Sequence, residues 1–196
     1  MPRTEKQLNA IRKDRREQIM NTALTLFSRE GYGHVSISML ARHAGISKGL
    51  MYNYFKSKEQ LLKEILDSGM KEIVQYFDPN NDGRLTPQEF EHFVRNTFRL
   101  MRDNREFWIK FFSLIIQPNV KILLKDGVMA GFMRRYFKIF EEYFKDHGFR
   151  DPELEVFQLS ALIEGFGIIM LYYEDLTEIP VTLFKKFEER IIQTYT

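Results

Sequence analysis

Residues 36–58 read S-I-S-M-L-A-R-H-A-G-I-S-K-G-L-M-Y-N-Y-F-K-S-K, a pattern of two short helices, a tight turn between them and the start of a third. Ser36 suits an N-cap, and Ile37, Leu40, Ala41 and Ala44 then fall on one apolar face. Gly45 ends that helix, Ile46 plugs the turn and Ser47 caps the next one. At about 100° per residue, Lys48, Gly49, Tyr52 and Asn53 share one arc of the second helix, while Ser47, Leu50, Met51 and Tyr54 share the other. The first arc combines a cation, a glycine that permits close backbone approach, a phenol and an amide. That chemistry suits phosphates and base edges in a major groove.

These residues resemble the tetracycline-repressor (TetR) family of bacterial transcriptional regulators. The likeness is carried by Ala23, Leu26-Phe27, Gly31-Tyr32, Leu40-Ala41, Ala44 through Gly49, Tyr52, Tyr54-Phe55 and Ser57-Lys58-Glu59, in the family's order and spacing. Two positions depart from it. Met39 stands where an acidic residue often closes a capping box, and Leu50 where a small hydroxyl residue is common. The resemblance implies an all-α protein with a helix-turn-helix head over residues 1–57 and a larger helical domain for ligand binding and dimerisation over 58–196. Together with the arc above, it assigns Lys48, Gly49 and Tyr52 to the groove and Ser36, Ser47, Asn53, Tyr54 and Lys58 to phosphates.

Charge is distributed accordingly. The chain of 196 residues has a formal net charge of only +2, yet residues 1–58 hold 11 Lys+Arg against 4 Asp+Glu. The head is therefore at +7 and the remainder at −5. No apolar run reaches the length of a membrane span, the longest, near Phe107–Ile116, being broken by Lys110. The polar N-terminus reads as lacking a signal peptide, and zero cysteines exclude disulfides, a thiol nucleophile and Cys-ligated zinc. A cytoplasmic location is expected. The four histidines are scattered, with no nucleophile motif or phosphate loop, so an enzyme is not expected. A membrane-surface role for the basic N-terminal helix is disfavoured, because its apolar face (Ile19, Ala23, Leu26, Phe27) is needed within the head.

Within residues 1–16, Arg3 and Lys6 read equally as a DNA arm or a solvated end, while Arg12–Arg16 enter a helix and are the better candidates for the DNA backbone. Ser57 and Gln60 form a capping box that opens a long helix through Leu61, Leu62, Ile65, Leu66, Ile73 and Phe77, spanning about 30 Å, with Gly69 as a soft point. This is the natural lever between head and body.

Residues 78–90, D-P-N-N-D-G-R-L-T-P-Q-E-F, carry two readings. Asp78, Asn80, Asp82, the Arg84 carbonyl and Glu89 occupy ligand positions of an EF-hand calcium loop, with Gly83 at its sharp turn and Leu85 at its apolar position. Equally, the stretch is a turn followed by a helix start, Thr86 as cap and Glu89 closing a capping box. No second such loop is present, and the family resemblance implies no calcium site. No cofactor is otherwise required.

From Phe90 the chain is helical and aromatic, with breaks at Gln117-Pro118, Gly127 and His147-Gly148. Such rings are core first. The resemblance implies a small-molecule site among these helices, for which Trp108, Phe111, Phe112, Tyr136 and Glu164 are the candidates. Asp151-Pro152-Glu153 starts a helix apolar almost all round, with Ala161 and Gly165 offering a flat seam, and Pro180 opens a last helix with Leu183, Phe184, Phe187 and Ile191 inward. The resemblance implies that these two helices pair with their copies in a homodimer. The expected protein is a ligand-responsive DNA-binding regulator, a repressor on a near-palindromic duplex released by a small apolar effector. The alternative input is calcium at 78–89.

Overall fold

The structure, a computed structural model, describes residues 4–125, 128–172 and 181–196. Arg3, Gly127 and Pro180 lie outside them. Among the described residues the fold is helical throughout, without strands.

Helix α1 (Glu5–Glu30) starts earlier than the apolar spacing suggests, because Thr4 and Gln7 form a reciprocal capping box. Its first turns carry Lys6, Arg12 and Lys13 in exposed positions and Arg15 and Arg16 half-buried, and full burial begins at Ile19. Gly31, at φ 84°, ends it. Helices α2 (Ile37–His43) and α3 (Lys48–Tyr54) follow, capped by the Ser36 and Ser47 hydroxyls, which accept from the Met39 and Leu50 amides. The turn between them places Gly45 at φ 63°, where a side chain would be strained. Leu40, Ala41, Met51 and Phe55 close the small core over Ile19, Ala23 and Phe27.

Helix α4 (Lys58–Val74) begins where the sequence divides head from body and, at about 1.5 Å per residue, is roughly 25 Å long. It stops three residues before the expected end, in a turn that delivers Phe77 to the body. The body follows as α5 (Pro87–Asp103), α6 (Arg105–Ile115), the short α7 (Pro118–Lys121), a 3₁₀ turn at Ile122–Lys125, α8 (Val128–Asp146), α9 (Pro152–Tyr172) and α10 (Val181–Tyr195). Helix α9 packs on α6 and α8, α5 on α10, and α4 on α1, α5 and α8.

Head and body are joined by specific polar ties as well as by packing of α1 on α4 and α6. Gln117 donates from Nε2 to the Phe27 carbonyl at 2.9 Å and accepts the Tyr32 amide at 2.8 Å. Its amide thus satisfies backbone groups on both sides of the Gly31 turn.

Gly69 has a different role from the expected soft point. A Cβ there would lie 2.5 Å from the Phe111 ring, so the glycine lets an aromatic side chain pack against the lever. Gly167 of α9 does the same for Phe112, at 2.3 Å. Leu183 is not inward but 55% exposed, whereas Phe184 and Phe187 are half-buried and Ile191 is buried. The apolar arc of α10 is wider than the neighbours available to cover it within one chain.

Candidate nucleic-acid interface and internal cavity

On α3, Lys48, Gly49, Tyr52 and Asn53 are all exposed, and nothing lies within 4 Å of where a Gly49 side chain would begin. Met51 is fully buried beneath them. A large apolar plug on one side of a seven-residue helix thus fixes which residues the other side presents. Ser36 and Ser47 spend their acceptor lone pairs on caps, leaving the hydroxyl protons free to donate to an anion. The assignment of Leu50 to the inner arc does not hold: it is 40% exposed, beside the polar face.

Three basic side chains expected near phosphates are engaged within the protein. Lys58 donates to the Tyr32 and Val35 carbonyls at 2.9 and 3.0 Å, with its ammonium 4.3 Å from the Tyr32 ring centroid. Arg15 reaches the Ala44 carbonyl at 2.8 Å, holding α1 to the turn after α2. Arg16 grips both oxygens of Glu64, donates to the Tyr54 carbonyl at 2.6 Å and lies over the Phe55 ring. That guanidinium ties α1, α3 and α4 together, a task for which its planar fork is suited. Tyr54 is half-buried beside it. Arg12 and Lys13 remain exposed.

The expected effector residues converge. Trp108, Phe111, Phe112, Tyr136 and Glu164 all line one cavity of about 130 Å³, together with Ile73 of α4 and with residues the sequence did not single out: Met70 from α4, Thr97 and Met101 from α5, and Ser160 from α9. The spacing Phe93, Thr97, Met101 places Thr97 on the buried face of α5 and could have revealed it. The wall is almost wholly apolar. Within it, Thr97 Oγ1 and Trp108 Nε1 are buried without a hydrogen-bond partner among the described residues. Burial drives the Tyr136 phenol well above its ordinary range, partly opposed by a hydrogen bond with Ser160 and reinforced by the nearby Glu164 charge. Loss of solvent also raises the Glu164 carboxyl, although the residue is exposed on its outer side.

The 78–89 segment is a loop stitched by its own side chains. Asp78 accepts the Gly83 amide, Asn80 the Asp82 amide and Asp82 the Arg84 amide, while Thr86 and Glu89 form the capping box of α5. The expected metal ligands are not gathered as a coordination sphere: among the described residues no group of three or more Asp, Glu or His side chains is arranged to hold a metal. Arg135 of α8 pairs with Asp78, and the Asn80 amide nitrogen lies between Asp82 and Glu89.

No helix among the described residues is long and apolar enough to cross a membrane. Outward on α9 lie Leu154, Phe157, Ala161, Ile168 and Ile169, with Phe157 66% exposed. Nothing lies within 4 Å of a Cβ placed at Gly165 on this helix.

The family of bacterial regulatory proteins described as tetR matches residues 19–65, covering the end of α1, the two short helices and the first turns of α4. Over 167 residues the chain is 30% identical to YhgD of Bacillus subtilis (strain 168), an uncharacterized HTH-type transcriptional regulator, spanning 76% of this chain and 80% of that one. Two solved structures share the fold. NalD of Pseudomonas aeruginosa, the secondary repressor of the MexAB-OprM multidrug efflux pump, gives a TM-score of 0.70 at 18% identity over 93% of this chain and 96% of its own. FadR of Bacillus subtilis, in complex with stearoyl-CoA, gives 0.67 at 18% over 90% and 97%. A polar helix face set on a buried plug, a glycine-turned helix pair and a relative matched over 80% of its length agree: the chain belongs to the tetR family of helix-turn-helix transcriptional regulators.

Proposed function

We propose that this regulator represses transcription as a homodimer on a near-palindromic duplex, and that a small effector entering the α4–α9 cavity lowers its affinity for DNA. The observation that carries the reading is the face of α3 on which Lys48, Gly49, Tyr52 and Asn53 are all exposed while Met51 anchors the helix behind them. Lys48 and Tyr52 meet base edges, Gly49 allows the backbone to approach, and Ser36, Ser47 and Asn53 hold phosphates. Two heads related by a twofold axis enter major grooves about one helical turn apart.

The dimer is supported by the uncovered apolar face of α9, whose Ala161 and Gly165 let a second copy of the helix approach closely. The effector class follows from the cavity. Its volume is near the ~150 Å³ of apolar cavities that admit benzene. Two unpartnered groups, the Trp108 N–H and the Thr97 hydroxyl, favour a molecule with an apolar body and one acceptor oxygen. FadR of Bacillus subtilis, which binds stearoyl-CoA in its solved structure, supports a ligand with an apolar chain. Met70 and Ile73 place the lever itself in the cavity wall, so a ligand that moves α4 repositions the head. With DNA as its partner, the protein acts in the cytoplasm as a regulator rather than as a catalyst.

Selection of bound duplexes from a random library tests this. Enriched sequences with dyad symmetry support the reading, and enrichment without any repeated half-site overturns the dimeric form of it. Effector titration must then show reciprocity, DNA weakening ligand by the same factor as ligand weakens DNA.

A further inference from the structure

On the reading of the α4–α9 cavity as the effector site, we propose that its ligand is a compact, uncharged carbonyl compound. The class is a ketone or aldehyde on an apolar body of about one six-membered ring, and neither a carboxylic acid nor an amine. Three properties of the wall narrow the choice.

The first is an unmet demand for an acceptor. Thr22, Thr25 and Thr194, also within helices, each donate their hydroxyl to the carbonyl four residues back. Thr97 of α5 does not: its Oγ1 is buried without a hydrogen-bond partner among the described residues, and so is Nε1 of Trp108. Both residues line the cavity. Its other hydroxyls are provided for, since Ser160 donates to the Val156 carbonyl at 2.8 Å and is hydrogen-bonded with the Tyr136 phenol. An indole N–H only donates, and a threonine hydroxyl without its helix carbonyl has a proton to place as well. A carbonyl oxygen brings two lone pairs and no proton. An alcohol or an ammonium would add a donor to a wall already short of acceptors.

The second is charge. Among the described residues, none of those lining the cavity is Lys, Arg or His, and Glu164 contributes a carboxylate. A ligand carboxylate would give up its hydration without meeting a cation, beside a group of its own sign. An ammonium would meet Glu164 but leave the Trp108 N–H and the Thr97 hydroxyl as they are.

The third is a volume that has little room to grow. The Phe111 ring is backed by Gly69 of α4 and the Phe112 ring by Gly167 of α9, each so closely that a Cβ on the glycine would collide with it. Trp108 stands edge to face on Phe111 at 5.2 Å. Rings already pressed on a helix backbone do not retreat to admit a long chain. What carries over from FadR of Bacillus subtilis is the apolar character of its ligand and not the length of stearoyl-CoA.

The test uses the full-length protein without DNA and four ring compounds of similar size: cyclohexanone, methylenecyclohexane, cyclohexanecarboxylate and cyclohexylamine. Binding is read by calorimetry and by the rise in Tm, and a change in the emission of Trp108, the sole tryptophan, locates it in the cavity. Cyclohexanone should bind about tenfold more tightly than methylenecyclohexane, which has its shape without its oxygen, and the two ions should not bind at neutral pH. Thr97→Val keeps the side-chain shape. It should raise the Tm of the ligand-free protein, by removing an unpaired hydroxyl, and reduce the preference for the ketone by about threefold or more. Trp108→Phe, read by calorimetry, should reduce it likewise. An acid or amine that binds as tightly as the ketone, a hydrocarbon that matches it, no binding by any of the four, or a preference unchanged in both variants would overturn this ligand class. None of these outcomes touches the dyad symmetry of the selected duplexes, on which the regulator reading stands or falls separately.

Discussion

The head and the body of this protein place their chemistry on opposite sides of their packing. In the head, α2 and α3 are seven residues each and are held by caps, one buried methionine and a small shared core, and what matters is the face left uncovered. In the body, the rings of α5, α6 and α8 are nearly all covered, and what matters is the space they fail to fill. A glycine makes the difference concrete. Gly49 has nothing near its missing side chain, whereas Gly69 and Gly167 have the Phe111 and Phe112 rings pressed against theirs. The same residue type serves an external partner in one region and internal packing in the other.

Mutations should separate the two regions cleanly. The largest effect belongs to the body: Phe111→Ala should cost about 3–5 kcal/mol of stability by denaturant unfolding, since it empties a buried site between α4 and the cavity. A loss below about 1 kcal/mol would mean that the cavity wall is loosely packed. Next, Tyr52→Ala should leave Tm in place and weaken binding to the selected duplex by about 1–3 kcal/mol, with little change on random DNA. Equal losses on both duplexes would remove Tyr52 from sequence reading. Third, Gly69→Ala should lower stability by about 1–2 kcal/mol through overpacking against Phe111, despite the better helix propensity of alanine. Gly49→Ala should instead raise stability by up to about 1 kcal/mol while weakening DNA, and a pair of glycines behaving alike would erase the contrast.

The salt dependence of binding sharpens it further. Arg12→Ala should flatten the slope of log affinity against log salt by about one, as for an exposed cation on a phosphate, whereas Lys58→Ala should leave the slope unchanged and lower Tm. The smallest effect concerns Glu164. Its carboxyl is raised by desolvation, so the folded state holds this proton to higher pH than the unfolded chain does. Its contribution to stability therefore declines as pH rises from the ordinary carboxylate value through the raised one. Glu164→Gln should remove that decline, seen as a smaller drop in Tm between acidic and neutral pH.

Legibility in the sequence followed the range of the interactions. The α2–α3 pair, its two serine caps and the outward set of α3 could be read because each depends on residues within one or two turns of one another. The cap of α1 at Thr4 follows the same local rule. The early stop of α4 at Val74 was harder, since Phe77 continues the apolar spacing but is taken by Phe93 of α5 and by Tyr136 and Phe140 of α8. The same holds for the cations. Nothing in the order of residues indicates that Lys58 will meet the carbonyls of residues 32 and 35, or that Arg16 will meet Glu64, because those partners come together only when α1, α3 and α4 do.

By itself, then, the sequence determined an all-α chain with a basic, glycine-turned helix pair at one end, an aromatic body at the other and an acidic loop between them. Helical period, cap chemistry and local charge are properties of neighbouring residues, and they survive without knowledge of the fold. Tertiary structure alone decided which cations remain available to a polyanion, which rings enclose a cavity rather than fill it, and that the two orphaned polar groups Thr97 Oγ1 and Trp108 Nε1 share its wall. Those outcomes depend on the close approach of helices distant along the chain, where a single ring against a glycine fixes spacings that no periodicity encodes.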